Sequence, residues 1–183
     1  MITDIVLYDN KIMMRQIELS DCDEKYLSWM NDPEVNRFME TKWSPQTMES
    51  IISFVQSQRE NDHSVLFAII NKATNAHIGN IKIGPVHPHY HHADASYFIG
   101  EKSMWGKGIA TEAIYLVCKF GFQELNLHRI EAGTYDVAVG SQKALEKNGF
   151  TKEGIFRDLA ILDGKYINIY HYGLLRDEFQ KVK

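Results

Sequence analysis

The stretch Trp105-Gly106-Lys107-Gly108-Ile109-Ala110-Thr111 sets the tightest limit on what this chain can fold into. A β-type run at 93–100 enters it and a helical run at 111–122 leaves it. A strand ending in a glycine turn that opens a helix presents backbone N–H groups with no intrahelical partner, and the helix dipole adds positive potential there. Such a turn holds phosphate. Glycines at 106 and 108 let the backbone approach a ligand closely, and Ala110 adds little bulk at the first helical turn. Taken alone, a Gly-x-Gly marks a tight turn more often than a phosphate cradle. The surrounding pattern decides.

Before the turn, 5–8 and 12–17 read as a hairpin around Asp9-Asn10-Lys11. Ser20 or Asp21 can cap a helix running to about Met30, and Asp32-Pro33 restarts the chain as a short helical turn. Ser44-Pro45 opens a second helix, to about Glu60, whose Met48, Ile51, Ile52 and Val55 fall at helical spacing. The apolar run 65–70 predicts a strand buried on both faces, paired through the turn 71–75 with a strand at 77–83 in which Gly79 marks a bulge. A loop at 85–92 leads to the strand that feeds the glycine turn. Beyond it come a helix with one apolar face, a strand at 129–135, and a helix at 139–148 that Gly149 ends. A final hairpin, 150–158 with 166–174, turns at Asp163-Gly164. The order predicts an α/β (α+β) protein with a mixed, mostly antiparallel sheet.

Length and charge exclude several classes. The 183 residues fit one domain, 1–183, and 44% hydrophobic residues suffice for a core without staples. Two cysteines, Cys22 and Cys118, make no disulfide framework and suit a reducing cytosol. No stretch reaches transmembrane length and the start shows no secretory pattern, so the expectation is a soluble cytoplasmic protein without membrane contact. A net charge of −4 gives no general attraction to nucleic acid.

Several ordered motifs together carry a family resemblance. They are Trp29-Met30-Asn31-Asp32-Pro33-Glu34-Val35, Ile78-Gly79-Asn80-Ile81, Ile99-Gly100, the glycine turn continued through Glu112-Ala113, Ser141 with Glu146-Lys147-Asn148-Gly149-Phe150, and Tyr172-Gly173-Leu174-Leu175. Over nearly its whole length the chain resembles the GCN5-related N-acetyltransferase (GNAT) family, in the branch of ribosomal-protein N-terminal and amino-sugar N-acetyltransferases. The resemblance implies a central sheet of about seven strands, splayed in the middle and flanked by helices, with acetyl-CoA as co-substrate. It places the pantetheine arm between the strands at 93–100 and 129–135, whose unpaired N–H and C=O groups need partners. It implies that Ile99, Trp105, Gly106, Lys107, Gly108, Ile109, Ala110, Thr111 and Ser141 hold the cofactor. Three positions depart from the pattern: Trp105 stands where Gln or Arg is usual, Ala138 where Asn is frequent, and Leu145 where many relatives carry the tyrosine that protonates the leaving thiolate.

Acetyl transfer from a thioester to an amine needs a neutral amine, a stabilised oxyanion and a leaving thiolate. A backbone N–H at the strand splay serves the oxyanion. Asp94 matches a carboxylate position of this branch and is the candidate base; equally, it is a strand-entry Asp bonded to a turn. Ser141 is the candidate catalytic contact to the CoA sulfur or pantetheine, against a plain role in the first helical turn. Tyr97 and Tyr135 are second-line acids, since strand tyrosines mostly pack. His87-Pro88-His89-Tyr90-His91-His92 invites a metal reading, but four histidines in one loop without a cysteine make a poor zinc site, and no metal is expected. The loop is instead expected to border the acceptor pocket through His87 and His89. The family's acceptor side implies Trp29, Asn31 and Glu34 as substrate-binding residues, with Trp29 and Phe38 equally suited to a core. Three readings follow: acetylation of a small-molecule amine such as a nucleotide-linked amino sugar, acetylation of a protein N-terminus, and a non-catalytic acyl-CoA-binding module. The chain is expected to be a monomer or homodimer.

Overall fold

The computed structural model describes residues 5–179. Eight strands, the number of β-type runs read along the sequence and one more than the family resemblance implies, form a sheet in the order β1-β2-β3-β4-β5-β6-β8-β7. They are β1 (Val6–Tyr8), β2 (Ile12–Gln16), β3 (Val65–Asn71), β4 (Ala76–Ile83), β5 (His92–Ile99), β6 (Arg129–Tyr135), β7 (Thr151–Leu162) and β8 (Lys165–Leu175). The helices are α1 (Glu24–Asn31), α2 (Met48–Arg59), α3 (Ile109–Gln123), α4 (Val139–Lys147) and a short α5 (Arg176–Phe179). Every strand pair is antiparallel except β5 with β6. That is the expected mixed, mostly antiparallel class.

Local chemistry moves several boundaries. α1 starts at the Asp23 cap, whose side chain accepts from the Tyr26 N–H, because Leu19–Asp21 forms a separate 3-10 turn. There Asp21 is taken by Arg15 in a two-pronged ion pair at 2.6 and 2.7 Å, so it is not free to cap α1. α2 starts at Thr47 rather than at Ser44-Pro45, with Thr47 and Ser50 exchanging side-chain-to-backbone bonds as a capping box. The β3–β4 register shifts between Ile69 and Ile70, leaving Ile78 rather than Gly79 as the extra residue. β7 runs past the expected end at 158 because a bulge between Phe156 and Ala160 lets the strand resume.

Alternation along the strands divides the core into two layers. On one face β-strand residues such as Phe67, Ile81, Ile83, Ala93, Ala95, Ile130 and Tyr172 meet the buried stripe of α3, including Ala113, Ile114, Val117 and Phe120. On the other face Leu66, Ala68 and Ile70 meet α1 and α2 through Tyr26, Trp29, Met30, Ile51 and Val55. Each fully buried large aliphatic or aromatic side chain there contributes about 1.5–3 kcal/mol. α1 and α2 cover only the β3–β4 side of that second face. Its β6-β8-β7 side carries the polar side chains described below.

Candidate active site

The parallel ladder between β5 and β6 has only three pairs: His92 with Arg129, Ala93 with Ile130, and Asp94 with Glu131. Beyond Asp94 the strands part. Among the described residues β5 keeps β4 as its only partner from Ala95 to Ile99, and β6 keeps only β8 from Ala132 to Tyr135. One edge of each strand therefore offers backbone N–H and C=O groups inside a fork, where buried groups of this kind need partners. A cleft of about 1350 Å³ passes through this fork. Ala132, Ser141, Ala144 and Leu145 line it on the α3–α4 face, and Phe38, Phe54, Lys82 and Ser96 line it on the other.

The glycine turn closes the open end of the fork. Gly106 and Gly108 sit at φ +73° and +82°, the left-handed region that favours glycine, and Gly108 is the residue before α3. Among the described residues a Cβ at Gly106 would meet nothing within 4 Å, and one at Gly108 would meet only Lys11 Nζ at 3.6 Å, so both stand over open space there. Trp105 anchors the turn: its indole N–H donates to the Ile99 carbonyl at 2.8 Å, at the end of β5. That bond gives a physical reason for tryptophan where Gln or Arg is usual. From below, buried Asn148 donates to the carbonyls of Thr111 and Ala144 at 3.1 and 2.8 Å, tying the start of α3 to α4. Lys11, from the β1–β2 turn, reaches over the loop. Its ammonium donates to Lys107 O at 2.7 Å, and its backbone N–H donates to Glu112 Oε2 at 2.9 Å. Sequence reading placed Lys11 only in a hairpin turn, because a contact 96 residues away leaves no local signal.

Tyr97 and Ser141 meet inside the fork, their hydroxyl oxygens 2.8 Å apart. Burial raises the Tyr97 phenol above its ordinary range, and the bond to Ser141 pulls it partly back. Leu145 is fully buried beside them and lines the same cleft. Asp94 lies at the last paired position, where the fork closes, and is not among the residues that line the cleft. Burial pushes its carboxyl above the usual carboxylate range; Lys82 draws it down, Glu131 pushes it up and His171 draws it down. Tyr135, on the far arm, donates to Glu40 Oε1 at 3.1 Å, and burial with that carboxylate pushes its phenol up to about 12.

Of the expected cofactor residues, Ile99, Trp105, Gly106, Gly108, Ile109, Ala110, Thr111 and Ser141 line the cleft, and Lys107 offers its carbonyl to Lys11. The acceptor set divides. Glu34 lines the cleft, with its carboxylate 2.6 Å from Lys102. Trp29 is a correction: it is 6% exposed, packs edge-on to His77 and Phe98, and fills the space where a side chain on Gly100 would be. Asn31 is another. It exchanges bonds with Gln46, accepting from its N–H at 2.8 Å and donating to its carbonyl at 3.0 Å, and so fastens the 36–46 segment rather than lining the cleft. His87 and His89 also lie outside the lining, because His87 folds back to pair with His92. Among the described residues no cluster of His, Cys, Asp or Glu has the arrangement of a metal site. No described helix is long and apolar enough to cross a membrane.

Comparison with known proteins agrees with this geometry. A family model described as "Acetyltransferase (GNAT) domain" matches residues 11–151. The chain is 31% identical over 175 residues to "Uncharacterized N-acetyltransferase p20" of Bacillus licheniformis, covering 94% of this chain and 97% of that protein. It is 32% identical over 167 residues to "Probable N-acetyltransferase YjcK" of Bacillus subtilis, covering 87% and 91%. Among solved structures, the spermidine N-acetyltransferase of Vibrio cholerae in complex with CoA and spermine shares the fold, with a TM-score of 0.83 at 18% identity over 94% of this chain and 99% of that one.

Proposed function

This chain belongs to the GNAT acetyltransferase family and is an acetyl-CoA-dependent N-acetyltransferase; we propose that its acceptor is a small primary amine bearing an anionic group, with a nucleotide-linked amino sugar as the leading class. Lys82 carries this reading. It lines the cleft on the face opposite α3, and among the described residues no carboxylate lies within ion-pair distance of it. Asp94 feels its charge from beyond that distance, and an ammonium in a cleft without a direct ion pair favours an anionic ligand over a polyamine. Phe38 and Tyr135, packed edge to face at 5.8 Å, add an aromatic wall suited to a sugar or base.

Acetyl-CoA supplies the activated thioester when bound. The residues present fit it: unpaired strand edges for its amides and open, positive-φ glycines at a helix start for its phosphates. Asp94, just behind the cleft lining, accepts a proton from the incoming amine through water, so that nitrogen attacks with a free lone pair. The backbone N–H groups of β5 within the fork face the oxygen that gains charge. Ser141 gives a proton to the departing sulfur, and Tyr97 in turn holds Ser141 in place and replenishes it. This pair takes the part for which Leu145 has no acidic group. Transfer is direct, in a ternary complex, by a cytoplasmic single-domain enzyme.

A protein N-terminus is the second reading, favoured by the carboxylates Glu34 and Glu40 in the cleft wall. It ranks lower because both are engaged, Glu34 by Lys102 and Glu40 by Tyr135. Free-thiol release from acetyl-CoA against amino sugars, nucleotide-linked amino sugars, polyamines and peptides decides between them. Turnover of an anionic sugar amine, lost in Lys82→Met, is the expected result. Turnover confined to peptides or polyamines would sink it.

A further inference from the structure

The histidine loop, which the acceptor cleft leaves unused, gathers behind Asp94. His87 forms an antiparallel bridge with His92, and its ring stacks on His92 at 5.2 Å and on Tyr90 at 4.4 Å. His92 Nδ1 lies 2.8 Å from Glu131 Oε1, and His171 Nε2, from β8, lies 3.5 Å from Glu131 Oε2. Glu131 is the register partner of Asp94 in the parallel ladder. Their backbones are therefore about 4.8 Å apart and their side chains share a face. Glu131 has an imidazole on each oxygen, while among the described residues no ion pair reaches Asp94.

We propose that Glu131, held between His92 and His171, is a positioning residue that sets the charge on Asp94, and that the two imidazoles tie this setting to pH. The physics is that of neighbouring carboxylates. An ionised group at the next ladder position disfavours a second negative charge, so Asp94 holds a proton more tightly and is the stronger base. When both imidazoles are protonated they offset Glu131, and Asp94 gives its proton up more easily. When they lose their protons, Glu131 keeps only the Arg129 guanidinium, which it shares with Glu153, and Asp94 strengthens as a base. Other charged and titratable groups face the cluster as well. Arg129 lies 3.6 Å from Glu131 and donates to Glu153 of β7 at 2.7 Å, and Lys82 of β4 faces Asp94 as a cation. His87 is the further imidazole in the stack and Tyr90 its aromatic neighbour.

The functional meaning rests on Asp94 being the base; the charge coupling does not. Carboxyl-carbon and imidazole NMR titrations of the full chain test the coupling without any acceptor. In the native protein the Asp94 carboxyl resonance should show a second inflection that follows the His92 and His171 rings. Glu131→Gln should move the Asp94 midpoint down and erase that inflection, and His171→Asn should weaken it. Linkage requires the reciprocal effect, so Asp94→Asn should shift the His171 ring titration; this measurement also serves if Glu131→Gln does not fold. An Asp94 titration identical in native and Glu131→Gln protein, or a His171 ring indifferent to Asp94→Asn, overturns the proposal. Full thiol release by Asp94→Asn with the coupling intact would instead remove Asp94 as base and leave the charge-setting arrangement standing.

Discussion

Burial raises the Asp94 carboxyl above its ordinary range, so the folded protein binds that proton more tightly than the unfolded chain does. The sign follows directly. Stability associated with Asp94 is fully present below its unfolded value of about 3.9 and declines as pH rises through the folded value, so at neutral pH the ionised group costs stability. Asp94→Asn should therefore raise Tm at pH 7, with the gain shrinking toward acid, while turnover falls about 10²–10⁴-fold as for loss of a general base. Thermal scans across pH and thiol-release kinetics check the two halves; a Tm lowered at pH 7 contradicts the sign. The paired hydroxyls make a second residue-scale case. If Ser141 and Tyr97 deliver one proton together, Ser141→Ala and Tyr97→Phe should each lower kcat by about tenfold or more. The double variant should then lose little beyond either single one, because members of one hydrogen-bonded unit are not additive. Losses that multiply would separate their roles.

The glycine turn shows how far an element can be read before it is seen. Its position between β5 and α3 was legible, because Gly106 and Gly108 mark backbone that only glycine adopts without strain. The fork was legible only through family resemblance, since no side chain announces that two parallel strands stop pairing after Asp94 and Glu131. Contacts between distant segments were not legible at all. Trp29 has the same amphipathic appearance whether it lines a cleft or fills the space over Gly100, and the histidines of 87–92 look available until His87 turns back on His92. Gly108→Val illustrates the gain from coordinates. The sequence alone suggests a purely steric block with an intact fold. At φ +82° a β-branched residue is strained, by 1–2 kcal/mol or more for a left-handed residue. The expected outcome is an acetyl-CoA Kd raised by about tenfold or more in calorimetry together with a lowered Tm. Unchanged acetyl-CoA affinity would contradict the phosphate placement.

Across the whole molecule the cleft is assembled from segments far apart in the chain, and the wall proposed for the acceptor depends on one such meeting. The 36–46 segment carries Phe38 and Glu40 into the cleft wall, and the tip of the β7–β8 hairpin fastens it from outside. Arg37 pairs with Asp163 at 3.0 Å across 126 residues of sequence, and the Lys42 ammonium donates to the Ile161 carbonyl at 3.1 Å. The Arg37 and Asp163 side chains are 50% and 74% exposed, so their ion pair contributes at most about 1 kcal/mol to global stability. Its effect should be local. Holding the segment should reduce the ordering that binding of the proposed acceptor must otherwise impose, whereas the glycine turn is anchored separately by Trp105 and Asn148. Arg37→Ala and Asp163→Ala should therefore leave Tm within the range of a surface change, leave acetyl-CoA affinity unaltered, and raise the acceptor KM by a similar factor in each. The double variant should match either single one. A fall in acetyl-CoA affinity, or a KM effect in Arg37→Ala that Asp163→Ala does not share, would mean that Arg37 acts on a ligand directly and that the hairpin tip is not what holds the acceptor wall.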